Sequence, residues 1–170
     1  MDTFIEQIIK KRFGPKDFLI FAAAILGGCA VILISWAFVP SFSMIVFVAV
    51  CVGAYYLISS RHLEFEYSAT NGDISIDKIV NRRSRKRLIS MDAHDIEVMG
   101  KYDSEQHRQK SYDVRIVASE NDDGRDAWYF SGHHPQKGSV LVVFNPNETV
   151  LQAIKPFLTR QVSINAFGRN

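Results

Sequence analysis

The chain has 170 residues, 47% of them hydrophobic and 22% charged, with a formal net charge of +2 at pH 7 and two cysteines. The near-neutral balance argues against general nucleic-acid binding, which draws on a broad basic surface, and two cysteines do not make a disulfide scaffold. A mean hydropathy close to zero averages an apolar first third with a polar remainder.

From the N-terminus, Phe4, Ile5, Ile8, Ile9 and Phe13 recur at helical spacing. Asp2, Glu6, Lys10, Lys11 and Arg12 fall largely elsewhere, with Glu6 and Lys10 at i, i+4. This pattern predicts an amphipathic helix over residues 1–14, ended by Gly14-Pro15 and lying along the inner membrane surface.

Two apolar runs follow, Phe18 to Val39 and Phe42 to Ile58, with no Asp, Glu, Lys or Arg in either. At 1.5 Å per residue they reach roughly 33 and 26 Å, against a hydrocarbon core of about 30 Å. A cleavable signal is the competing reading of the first, on Ser35-Trp36-Ala37; the run is longer than a signal's apolar region, and a second run follows at once. The expectation is a two-span transmembrane hairpin over residues 18–58. Lys10, Lys11, Arg12, Lys16 and Arg61 flank it, and its Pro40-Ser41 link is uncharged. By the positive-inside rule both termini are cytoplasmic in a multi-pass protein of the cell membrane.

Ala23 and Gly27 in the first span, and Ala49 and Gly53 in the second, stand at small-xxx-small spacing. They are the expected helix-packing residues, facing each other in the hairpin or docking a partner's transmembrane helix. Neither span holds an Asp, Glu, Lys, Arg or His, which argues against a transporter or channel acting alone. Cys29 and Cys51 read as apolar packing residues.

From Arg61 onward the chain carries 16 Lys plus Arg and 15 Asp plus Glu, enough residues for one domain over 61–162 with a tail at 163–170. Leu63-Glu64-Phe65-Glu66-Tyr67 alternates as a half-buried strand. Asn71-Gly72 before Ile74 and Ile76 signals a hairpin, since both turn residues accept positive φ. Further strands are expected at Arg87 to Ser90, Ile96 to Met99, Tyr112 to Ala118, Ala127 to Phe130 and Val140 to Phe144. Asp123-Gly124 marks a turn between the Tyr112 and Ala127 segments, and 100–111, 120–126 and 131–138 have loop composition. Of Trp128-Tyr129-Phe130, one parity is expected to face the core and the other a closing helix. Val150, Leu151, Ile154, Phe157 and Leu158 then form a helical stripe, with Asn145 as the expected cap, Pro146 at the first position, Glu148 completing a capping box and Pro156 kinking the helix.

The expected fold is an α+β membrane protein: the transmembrane hairpin plus a cytoplasmic antiparallel β-barrel or sheet closed by a C-terminal helix. The run Phe65 to Met99, FEYSATNGDISIDKIVNRRSRKRLISMDAHDIEVM, carries an aromatic-rich strand, a polar turn, an alternating Ile strand ending in a Lys, a basic turn and then Asp95-Ile96-Glu97-Val98. In these features it resembles bacterial membrane-anchored pleckstrin-homology-like domains. With its paired spans the chain is similar to a small bacterial family of two-span proteins of unknown function. That resemblance implies a tethered binding or assembly module and brings no catalytic residues with it.

Arg82, Arg83, Arg85, Lys86 and Arg87 form the concentrated basic run of this domain. They are candidate contacts for anionic lipid headgroups, each worth about 1 kcal/mol near a membrane surface, or else a solvated or protein-facing hairpin tip. His133-His134, His107 and Asp92-x-His94-Asp95 lack metal-ligand spacing, and no phosphate loop, nucleophile elbow or zinc-protease motif occurs. No catalytic residue, cofactor or metal is therefore expected. The sequence points to a non-catalytic scaffold or accessory protein that meets membrane lipids and docks another membrane protein, or alternatively to a lipid-responsive module working through the basic hairpin.

Overall fold

The structure, a computed structural model, describes residues 4–168. It divides into two compact units, one formed by the residues up to Arg12 together with those from Glu64 onward, the other by Phe13–Leu63.

The second unit is a pair of helices. α1 (Pro15–Phe38) starts with Pro at its first position, where no intrahelical N–H is needed, and the Gly14 N–H donates to Asp17 Oδ2 at 3.0 Å. A short 3₁₀ turn, Pro40–Phe42, leads into α2 (Ser43–Ser59), which packs against α1. At the open end of the pair Arg61 Nη1 lies 3.8 Å from the buried Asp17 carboxylate, and Phe13 meets Phe21 and His62 edge-on. Both helical segments, Pro15–Phe38 and Pro40–Ser59, are long and apolar enough to cross a membrane, and almost none of their residues is buried within the chain. They are not core helices of this chain, so the apolar surface they present needs an apolar surrounding.

The other unit holds two four-stranded sheets. The first has the order β1-β2-β3-β4, from β1 (Phe4–Lys10), β2 (Leu63–Thr70), β3 (Asp73–Val80) and β4 (Ser84–Asp92). The second has the order β5-β7-β8-β6, from β5 (Ile96–Lys101), β6 (Val114–Ala118), β7 (Trp128–His134) and β8 (Gly138–Phe144). A single core cluster draws on both, with Tyr67, Ile74, Ile76 and Ile89 from one sheet and Ile96, Phe130, Val142 and Phe144 from the other.

Four expectations are corrected here. Residues 4–10 are not an amphipathic helix. They form β1, antiparallel to β2 with Ile5 opposite Ala69 and Ile9 opposite Phe65. The apolar residues here stand in pairs at helical spacing and do not alternate, yet the strand prevails because it buries Ile9 and pairs the open edge of β2. The sheets do not close into a barrel. β6 does not form a hairpin with β7; it lies parallel to β8, with Val114 opposite Val140, because the Asp123-Gly124 turn (Gly124 φ 67°) sits in a longer connection that carries the chain across the sheet. The C-terminal segment is two helices, α4 (Glu148–Ile154) and α5 (Arg160–Phe167), so residues expected as tail are helical. Pro156 lies in the 3₁₀ turn between them, and Val150, Ile154, Leu158 and Val162 join the core cluster.

Smaller details also differ. The stretch expected as loop at 100–111 contains α3 (Ser104–Arg108), capped by Asp103, whose side chain accepts the Glu105 N–H. β7 runs on through His134. Asn147, not Asn145, caps α4, with its side chain accepting the Val150 N–H at 2.9 Å. Trp128 and Phe130 share a face, Trp128 stacking on Phe167 of α5 and Phe130 sitting in the core, while Tyr129 faces the opposite way. The Asn71-Gly72 hairpin forms as its sequence predicts, with φ of 49° and 94°. A Cβ at Gly72 would come within 2.9 Å of the Phe157 ring, so this position excludes a side chain on two counts.

Candidate functional site

The basic hairpin is built on β3 and β4. Asn81 and Arg82 both hold positive φ, 49° and 55°, in the turn between them, the conformation of a tight hairpin turn. A bulge shifts the register after Ile76, so Asp77 stands opposite Arg87 and Leu88 is the extra residue. The Leu88 carbonyl accepts a hydrogen bond from Lys137 Nζ.

The bulge pairs the charges. Arg87 holds Asp77 bidentately, Nε to Oδ1 at 2.9 Å and Nη2 to Oδ2 at 3.3 Å, a geometry in which two parallel charge-assisted bonds reinforce each other. Arg85 on β4 reaches over β3, 3.7 Å from Asp77 Oδ2, to pair with Glu66 on β2. Arg82 Nε lies 3.4 Å from Glu64 Oε1. The Glu66 and Asp77 side chains are only 5% and 6% exposed, against 54% and 59% for Arg85 and Arg87. A buried carboxylate without a partner is costly, so these arginines are held by the fold.

Of the five candidate cations, therefore, three are engaged with acidic neighbours on the sheet. Arg83 and Lys86 make no ion pair among the described residues. The sequence displayed the basic run but not its counter-charges, since Glu64, Glu66 and Asp77 reach it only through strand pairing. Two of the basic residues flanking the spans are engaged likewise: Lys11 pairs with Asp122 at 2.7 Å and Arg12 with Glu120 at 3.0 Å.

The expected helix-packing residues are displaced by one position. A Cβ on Gly27 or Gly53 would meet nothing within 4 Å, whereas one on Gly28 would lie 2.9 Å from Val50 Cγ1. The half-buried faces run through Phe21, Ala24, Gly28 and Ile32 on α1 and Val46, Val50 and Ala54 on α2. Ala24-xxx-Gly28 keeps the small-xxx-small spacing, turned by about 100° from Ala23-xxx-Gly27. Ala23 and Ala49 are exposed. Ala49 and Gly53 line an open apolar groove of about 640 Å³ with Met44 and Val52. Cys29 and Cys51 are exposed on the helices.

One cluster had no signal in the sequence. His107 in α3, 1% exposed, lies among Tyr102 and Tyr112 of its own segment and Tyr129 of β7. Its Nδ1 is 3.0 Å from the Tyr112 hydroxyl. The remaining histidines of interest serve local turns: His94 Nδ1 meets Asp92 at 3.1 Å, and His134 Nδ1 accepts the Gln136 N–H. Among the described residues no group of three or more His, Cys, Asp and Glu side chains is arranged to hold a metal.

No curated protein and no solved structure matches the chain. A family model described as a bacterial PH-like domain, DUF6106, matches residues 1–164, a span that takes in β1 and both apolar helices as well as the two sheets. The chain belongs to that family of bacterial PH-like domains.

Proposed function

We propose that this protein is a non-catalytic, membrane-anchored scaffold or accessory subunit whose PH-like domain, on the cytoplasmic side with both termini, docks another membrane protein. The observation that supports this reading best is the insertion of both apolar helices between β1 and β2, strands that pair along their whole length. The PH-like domain is thereby tied to the anchor by two chain segments that leave one end of a single ladder. An even number of crossings keeps both segments on one side of the membrane, as suits a docking module.

The alternative, a module responding to anionic lipid through the basic hairpin, is narrowed by the ion pairs. With Arg82, Arg85 and Arg87 engaged, lipid contact would rest on Arg83 and Lys86, lowering its expected worth from about 5 to about 2 kcal/mol.

The two readings separate in nanodiscs of neutral and of anionic lipid carrying the full chain with a fluorophore at Ser84. The scaffold reading expects the same lipid quenching in both, and cellular photo-crosslinks from the domain surface to one membrane protein that survive Arg83→Ser with Lys86→Ser. Quenching that appears only on anionic lipid and disappears with salt, together with crosslinks lost in that double variant, would replace it with the lipid reading.

A further inference from the structure

The segment 102–112 crosses the outer face of the second sheet and packs Tyr102 and Tyr112 onto Ala127, Leu141 and Val143, which form a small apolar cluster of their own. His107 is the deepest side chain of that cover. It stacks on Tyr102 at a centroid distance of 5.5 Å, meets Tyr129 of β7 edge-on at 4.1 Å and lies 6.1 Å from Tyr112. Arg115 of β6 holds the same segment through its backbone, Nη2 donating to the His107 and Lys110 carbonyls at 2.7 and 2.6 Å, and its guanidinium lies over the Tyr112 ring.

The imidazole is an unusual choice for this place. Nδ1 has the Tyr112 hydroxyl as partner, but Nε2 is buried with no hydrogen-bond partner among the described residues. Whichever tautomer is present, one ring nitrogen is left unsatisfied, a cost that a phenyl ring of similar bulk would avoid. A histidine differs from a phenyl ring in one further respect, that it can take up a proton near neutral pH.

We propose that His107 is an acid-sensitive latch, holding segment 102–112 over the outer face of the second sheet while neutral and releasing it when protonated. The charges around the ring favour the neutral form. Lys110 and Arg115 oppose a second positive charge, Asp103 alone favours one, and burial is the largest effect, so the His107 pKa lies below its ordinary value. Burial raises the Tyr112 and Tyr129 hydroxyl pKa values, so neither supplies an anion to compensate. Above the ordinary histidine pKa of about 6.5 the closed and open forms are both neutral and the latch holds fully. As pH falls below that value the open form takes up a proton that the closed form refuses. Opening then gains by up to about tenfold per pH unit, until the lowered pKa of the closed form is reached.

Amide hydrogen exchange of the full chain in neutral-lipid nanodiscs between pH 7.5 and 5.0, corrected for the intrinsic rate, tests this. The β7 and β8 amides serve as internal reference. Exchange at residues 104–109 is expected to accelerate about tenfold or more relative to that reference, and the acceleration should vanish in His107→Phe. It should persist in Tyr112→Phe, which removes the hydrogen bond but not the titrating ring. An unchanged 104–109 segment in the wild type, or equal acceleration in His107→Phe, would overturn the latch.

Discussion

The Asn145 N–H donates to the Tyr67 hydroxyl at 3.1 Å, and that hydroxyl in turn donates to the Ala118 carbonyl. Asn145 uses its other polar groups as well. Its side-chain oxygen accepts the Glu120 N–H at 2.9 Å, its amide donates to the Asp126 carbonyl, and its own carbonyl accepts Gln7 Nε2 at 3.0 Å. Residues from β1, β2, the end of β6 and the connection after it thus meet at one point beyond β8. Burial raises the Tyr67 hydroxyl pKa so that it stays protonated. Tyr67→Phe leaves the Ala118 carbonyl and Asn145 N–H without this partner and is expected to lower stability by about 1–3 kcal/mol, read from the urea midpoint of the full chain in detergent.

Because β1 belongs to the sheet and Lys10 stands opposite Glu64 at the end of the ladder, residues 13–62 can be replaced by a short Asn-Gly turn. The product is expected to be soluble and to melt cooperatively. Deleting residues 1–12 as well should abolish that behaviour, because the pairing edge of β2 and the core residue Ile9 are both lost. In the full chain, Ile9→Ala alone is expected to cost about 2–4 kcal/mol. Circular dichroism melts of the three proteins check this.

The two classes of cation in the basic hairpin should respond differently to substitution. Arg85→Ser or Arg87→Ser exposes a nearly buried carboxylate to loss of its partner, for about 1–3 kcal/mol, discounted because each guanidinium is half exposed. Arg83→Ser and Lys86→Ser should stay within about 0.5 kcal/mol. Chemical denaturation of the four variants measures the split.

Gly28→Leu places a side chain where a Cβ already crowds Val50 and is expected to weaken the helix pair by about 1–3 kcal/mol. Gly27→Leu points into open space and should change it by less than about 0.5 kcal/mol. Unfolding in mixed SDS micelles, followed by fluorescence transfer between the ends of α1 and α2, tells them apart.

The limit of what the sequence shows is visible element by element. Residues whose behaviour depends on local chemistry were legible from it. The two apolar runs need only length and the absence of charge, the Asn71-Gly72 turn needs only residues that accept positive φ, and Pro156 interrupts a helix wherever it stands. Tertiary structure decided what depends on a distant partner. Residues 4–10 have helical spacing, and became a strand because β2 offered them an edge. Ala23-xxx-Gly27 and Ala24-xxx-Gly28 are equal as patterns, and the contact with Val50 chose between them. The basic run became largely self-neutralised because strand pairing and a bulge set Glu64, Glu66 and Asp77 beside it, and His107 was buried because its segment packs Tyr102 and Tyr112 beside Tyr129 on one sheet face. Strand register is set by which residues must leave water together, and no short stretch of sequence contains both halves of that condition.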